Sequence, residues 1–434
     1  MATSRGTPAQ GLAGATIGFF VGFAAVSLFG PTVRFLQTAA GVSAGLAGLL
    51  ISIPNLTGSL LRIPFSAMVN QDGGRKPFLI LLSSAAVGVA GIWVLIAFAP
   101  DRLGELFPLL LLFGALGGFG IATFSVGISQ TSFWYPQRAQ GSALATYAGF
   151  GNMAPGLFAL LLGLLIPMIG LAGSYLAWLV FLLVGIAAYA VLGRNAPSFQ
   201  LERSGMPRET AIAAARSNHG QELFPKGNAR QALADSAKVW QTWALVFVYF
   251  TTFGGFIALT AWLPKYWGSF FGLDIALTGL LTAVFSVSAS LLRVAGGPVS
   301  DRLGGERAAI ASLAVIGIGA VVMSLAASIA VAVVGVVLLA IGMGVANAAT
   351  FKLVPQEVPN AVSGAAGWVG GLGAFGGFVI PNFMAAFLTT ADAADRGYAA
   401  GFLVFVLLAG ASAVLVFLMQ SSRSRRTRAA AVRV

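Results

Sequence analysis

Ser286–Arg307 reads SVSASLLRVAGGPVSDRLGGER. One arginine, Arg293, stands inside a long apolar run, and the run ends in a polar, glycine-bearing turn. Ser59–Lys76, SLLRIPFSAMVNQDGGRK, repeats the design in the first half of the chain. Both copies contain Ser-Leu-Leu-Arg. Laying Arg62 on Arg293, a shift of 231 positions, brings Gly73-Gly74 onto Gly304-Gly305. A guanidinium near the middle of a membrane helix costs about 2.5–3.5 kcal/mol on insertion scales and is a functional residue by default. One such arginine per half, at matching positions, points to one anion held between two repeats.

The composition makes the apolar runs membrane spans. The 434 residues are 58% hydrophobic and only 9% charged, with a mean hydropathy of +0.89. That is more apolar surface than a soluble domain can hide. A hydrocarbon core of about 30 Å takes about 20 apolar residues per helix. Twelve segments fit, at roughly 11–36, 44–69, 77–99, 106–131, 140–167, 172–193, 240–263, 273–300, 308–328, 330–351, 361–389 and 397–420. The fold expected is an all-α membrane protein of twelve transmembrane helices in two pseudo-symmetric six-helix bundles, 1–193 and 240–421. A polar stretch, 194–239, joins them as a linker loop, and a basic tail, 422–434, follows. Within the linker, Pro207–Arg216 predicts a short helix with proline at its first position. The tail, with its SSRSRRTR run, is expected to anchor at anionic headgroups.

The net charge of +12 invites a nucleic-acid reading, and its distribution argues against one. Of the 25 Lys and Arg residues, 19 fall in the termini and loops of one side, 4 on the other and 2 inside spans. This is the positive-inside pattern. It places both termini and the linker in the cytoplasm and makes the partner a lipid bilayer rather than nucleic acid. The first apolar run follows a polar decapeptide, is too long for a signal peptide and lacks a clear cleavage site, so it reads as the first span. The sequence reading is a multi-pass protein of the cytoplasmic membrane that acts as a monomer.

Several chemistries are excluded. The chain has no cysteine and a single histidine, His219, in the polar linker. Disulfides, thiolate sites and histidine metal clusters are therefore ruled out, and no cofactor is expected. All 13 acidic residues lie in loops or at span ends. An intramembrane enzyme would lack a nucleophile, base or metal ligand, so the chain is read as no enzyme. Unpaired buried charge is expensive, so an anionic substrate is the natural counter-ion for Arg62 and Arg293. The competing reading has each arginine snorkel or bond to backbone carbonyls.

Glycine marks the second feature. Gly114–Pro136 is GALGGFGIATFSVGISQTSFWYP and Gly141–Gly156 is GSALATYAGFGNMAPG. In the second half, Gly342–Pro355 is GMGVANAATFKLVP and Ser363–Pro381 is SGAAGWVGGLGAFGGFVIP. Small residues let helices approach closely, which accounts for the glycines alone. Packing does not account for an embedded amide in each half, Asn152 and Asn347. Such amides, with glycine N–H groups such as those of Gly151 and Gly371, are donors for a small anion.

These segments resemble the nitrate/nitrite porter family of the major facilitator superfamily. The run ending Ser132-Phe-Trp-Tyr-Pro136, with Gly149-Phe-Gly-Asn-Met153 after it, looks like the family's first signature. Phe351-Lys-Leu-Val-Pro355 and Gly367–Pro381 look like its second. The resemblance covers nearly the whole chain outside the linker and tail. It implies that Arg62 and Arg293 are the substrate arginines of spans two and eight, that Asn152 and Tyr249 lie near the anion, and that Phe124 and Phe253 flank it. For the phenylalanines, ordinary packing is the competing reading. One departure stands out: Gly127-Ile-Ser-Gln130 occupies the place where the family often has alanine, methionine and asparagine.

The turn Gly297-Pro-Val-Ser-Asp301-Arg302-Leu-Gly304-Gly305 resembles the superfamily's cytoplasmic latch, so Asp301 and Arg302 are read as gating residues. In the first-half copy Asn70 and Gln71 replace them. The function implied is alternating-access transport of nitrate and nitrite, with exchange favoured because no span carries a carboxylate or histidine for a coupled proton. Proton symport and another small anion are the alternatives.

Overall fold

The computed structural model describes residues 4–225, 227–388 and 394–431. Helices, joined by turns and short irregular stretches, make up most of them, and there is no strand among the described residues. With no water in a hydrocarbon layer, a helix satisfies its backbone donors and acceptors internally. Among the described residues, nine helices are long and apolar enough to cross a membrane, and Pro8–Ala24 is a shorter apolar one. Polar residues set several starts. Thr7 and Gln10 form a reciprocal cap on Pro8–Ala24, Ser43 caps Ala44–Asp72, and Ser328 caps Ile329–Glu357.

The helices depart from the expected segments in informative places. Gln140–Asn152 is followed by Ala154–Leu192, which turns a corner at Gly170, with φ 69° and ψ 178°. A positive φ is cheap only for glycine, so this residue separates the fifth and sixth apolar segments. The fourth segment breaks at Gly118, between Phe107–Gly117 and Phe119–Trp134. A Cβ there would lie 2.2 Å from the Pro54 carbonyl oxygen, so glycine permits the contact with Ala44–Asp72. The seventh contains a π-helical turn at Phe250–Gly254, and its helix continues past the expected end at 263 to a second one at Tyr266–Phe270. The tenth runs on through Lys352 to Glu357, where the charge pattern had implied a loop.

The helices gather into two compact units. The first is Met1–Pro136, Phe150–Asp235 and Asn360–Gly367. The second is Gln137–Gly149, Ser236–Pro359 and Trp368–Val434.

In the first unit, the polar stretch after Leu192 is folded. Pro197–Arg203 and Arg208–His219 are helices that bury Leu201, Ala211 and Ala215 together, with Met206 and Phe224 against them. Pro207 is the residue just before the second helix rather than its first, because its ψ of 141° is extended. The stretch is tied to its neighbours by hydrogen bonds. Asn195 accepts from the Arg75 N–H and donates to the Asp72 carbonyl, which also accepts from Arg203. The Arg194 carbonyl accepts from Gln130 and Trp134. Gln200 accepts from the Arg5 N–H, and Ser4 meets His219 at 2.7 Å.

In the second unit, Gly305–Leu325 packs along Ile329–Glu357 and the C-terminal helix Leu403–Ala431. Arg423, at the head of the basic tail, turns inward to Glu306 at 2.9 Å.

Candidate functional site

Each unit buries one arginine of the repeat. On Ala44–Asp72, Arg62, Ser66 and Asn70 are spaced by four and therefore share a face. On Ile275–Leu303, the positions at a shift of 231 are Arg293, Gly297 and Asp301.

In the first unit, Arg62 is 0% exposed. Its Nε donates to the Ile121 carbonyl at 3.3 Å, and its guanidinium carbon lies 4.8 Å from the centre of the Phe124 ring. A desolvated cation over an aromatic face is favourable by about 2 kcal/mol. Phe124 is braced edge-on by Phe19 at 5.3 Å, and Phe19 stacks on Phe23. Gly151 leaves room for Phe19: a Cβ on it would fall 1.9 Å from Phe19 Cδ1. Asn152 follows, 5% exposed, and its Oδ1 makes no hydrogen bond. Arg62, Phe124 and Gly151 are thus joined through Phe19.

Further along that face the chemistry is neutral. Ser66 lies 2.9 Å from the Ser129 hydroxyl and donates to the Ser125 and Ser363 carbonyls at 3.1 and 2.7 Å. Asn70 accepts from the Ser363 hydroxyl.

In the second unit, Arg293 is 1% exposed and sits in an aromatic cage. Its guanidinium carbon is 5.8 Å from the Tyr249 and Phe253 ring centres and 5.7 Å from that of Phe351. Its Nη1 donates to the Tyr249 hydroxyl at 3.3 Å. Tyr249 and Phe253 stack at 4.9 Å, and Phe351 meets Tyr249 edge-on at 4.7 Å. The π-turn at Phe250–Gly254 lies within this cage, in keeping with the tendency of such turns to occur at functional sites. Asn347 is one helical turn before Phe351, 3% exposed, and its Oδ1 makes no hydrogen bond. Gly371 is buried within Val362–Ala374. Two residues on, Gly373 faces the Tyr249 ring, where a Cβ would lie 2.7 Å away.

Asp301 faces the start of Gln140–Asn152. Its carboxylate accepts from the N–H groups of Gly141 and Ser142 at 3.1 and 2.7 Å and from the Ser142 hydroxyl. This caps a helix N-terminus, where a negative charge is favoured. Lys352 pairs with the same carboxylate. Arg302 is exposed in the last turn of its helix.

The sequence reading had singled out neither Phe19 nor Phe351 as a cage residue, nor Lys352 as the partner of Asp301. The four-residue step from Asn347 to Phe351 was an available signal for one of them.

A family model described as the Major Facilitator Superfamily matches residues 15–381 and, again, 270–433. The chain belongs to the Major Facilitator Superfamily. Among relatives within the superfamily, one from Thermus thermophilus carries the name "Probable nitrate/nitrite antiporter NarK1". It is 30% identical over 394 residues, covering 85% of this chain and 83% of the relative. The nitrite extrusion protein of Bacillus subtilis is 28% identical over 386 residues, covering 89% and 88%. These relatives bear out the resemblance to the nitrate/nitrite porter family. Solved superfamily structures share the fold. The proton:xylose symporter XylE superposes with a TM-score of 0.70 at 14% identity, covering 95% of each chain. The human organic anion transporter MFSD10 gives 0.68 at 16%, covering 95% of this chain and 100% of the other. The all-α major facilitator fold expected from the sequence is thereby borne out.

Proposed function

We propose that this protein transports nitrate and nitrite across the cytoplasmic membrane by alternating access, as an exchanger and not an enzyme. The observation that carries the proposal is the pair of arginines at matching repeat positions. Both are buried, and each lies against aromatic rings, in a chain whose relatives are named for nitrate and nitrite. A planar anion suits a planar guanidinium, which offers two parallel N–H donors. Arg62 and Arg293 take anion oxygens. Phe124 and Phe253 flank the anion, Tyr249 orients Arg293, and the amides of Asn152 and Asn347 supply further donors. Gly151 and Gly371 sit inside helices, where their N–H groups are spent on the helix ladder, so they are not donors; Gly151 contributes room for the Phe19 ring instead. Asp301, with Arg302 beside it, belongs to the gate. Both termini and the folded polar stretch face the cytoplasm, and one chain suffices for transport.

Exchange follows from desolvation. Closing a site around a buried cation strips its water, which costs several kcal/mol per ion. A bound anion offsets much of that cost, so the loaded carrier crosses and the empty one stalls. The acidic residues lie in loops or at span ends and the single histidine in the polar stretch, so none stands mid-span to carry a coupled proton. Purified protein in liposomes tests this directly. Uptake of labelled nitrate should require internal nitrate or nitrite. Strong uptake into anion-free liposomes, driven by an inward proton gradient and collapsed by a proton ionophore, would establish symport instead.

A further inference from the structure

We infer that Ser125 is a specificity residue: its hydroxyl is a spare neutral donor beside Arg62, reserved for an oxygen of a small trigonal oxyanion. The inference rests on the anion-transport reading above and deepens it. It starts from what a serine does inside a helix. With no other partner, its hydroxyl donates to the carbonyl four residues back. Ser129, Ser132, Ser290, Ser300 and Ser312 all do this here. Ser125 does not. It is 0% exposed and its Oγ makes no hydrogen bond.

The carbonyl four residues before Ser125 belongs to Ile121, and Arg62 Nε donates to that carbonyl. The carbonyl of Ser125 itself accepts from Ser66, four residues after Arg62 on the facing helix. Ile121 and Ser125 therefore present consecutive turns to the face that carries Arg62. Cα–Cβ bonds tilt toward a helix N-terminus, so the Ser125 side chain leans back over the Ile121 turn. Its neighbour in sequence is Phe124, whose ring lies against the same guanidinium. A buried hydroxyl without a partner is costly. One held beside a buried cation is placed to donate to whatever that cation binds.

The chemistry then sets the preference. Nitrate has three oxygens and nitrite two. With guanidinium donors occupying two oxygens, a third donor benefits nitrate more. The test is steady-state exchange by the full-length protein in liposomes, with nitrate and nitrite measured separately. Ser125→Ala should raise the KM for nitrate by about three- to tenfold, as for one neutral hydrogen bond, with kcat unchanged. The KM for nitrite should move by less than about twofold. Ser312→Ala removes a hydroxyl already spent on a backbone carbonyl and should leave both constants unchanged. A Ser125→Ala protein indistinguishable from wild type, or one that loses both anions in equal proportion, overturns the assignment while leaving the transport reading intact. A wild-type protein that moves neither anion overturns both.

Discussion

Lys352 meets Asp301 with 2.5 Å between Nζ and Oδ1, and the two side chains are only 10% and 14% exposed. The same carboxylate also holds the first N–H groups of Gln140–Asn152. One acidic group thereby fastens three helices of the second unit.

That arrangement predicts a separation of rate from affinity. Asp301→Asn should slow exchange by about an order of magnitude, because the step affected is a conformational one. Equilibrium nitrate binding, measured by calorimetry, should stay near the wild-type value. Lys352→Met leaves the carboxylate without its cation. Breaking one side of a nearly buried pair costs about 3–5 kcal/mol, so the melting temperature should fall as well. A large loss of binding in folded Asp301→Asn would remove this residue from the gate.

For the arginines, retained charge should not be enough. Arg62→Lys and Arg293→Lys keep a cation but lose the planar fork and its stacking on the rings. Nitrate exchange should fall by at least about two orders of magnitude in each. Normal exchange by either lysine variant would sink the planar-recognition argument.

Tyr249→Phe removes the hydroxyl that accepts from Arg293. The stack on Phe253 and the edge contact with Phe351 survive, and the acceptor for Arg293 Nη1 is lost. A bond to a charged group is worth about 1.5–3 kcal/mol. At 3.3 Å the low end applies, which is about tenfold in kcat/KM. An unchanged kcat/KM would show that the aromatic cage alone orients Arg293.

Gly151→Ala tests the brace. The added methyl would overlap the Phe19 ring, and overpacking of this kind costs about 1–3 kcal/mol. The expected result is a lower melting temperature together with a loss of nitrate affinity transmitted through Phe124. A stable variant with normal affinity would mean that Phe19 does not position Phe124.

Much of this was readable before the structure. Twelve apolar runs and a 231-residue repeat contain the fold, because hydrocarbon leaves so few alternatives to helices. Arg62 and Arg293 announce themselves because charge inside such runs is rare. Other features depend on partners that spacing does not reveal. Lys352 looks like a loop residue until Asp301 is seen to neutralise it, and the helix then continues to Glu357. The small core of Leu201, Ala211 and Ala215 contains no long apolar run, so the polar stretch reads as a plain connector. Ser125 is one serine among many, and only its buried hydroxyl without a partner, on the helix whose Ile121 carbonyl accepts from Arg62, marks it out.

The folded polar stretch bears on how the protein can be engineered. Residues 194–203 supply hydrogen bonds to Asp72, Arg75, Gln130 and Arg5, so a reporter domain spliced there would pull on four helix ends or terminal segments at once. Gly205 is exposed, turns with φ 91° and has nothing within 4 Å of its Cβ direction. Insertions are best tolerated at such exposed loop tips. A fluorescent tag spliced at Gly205 would leave those anchors in place and report on the protein from a single fixed point.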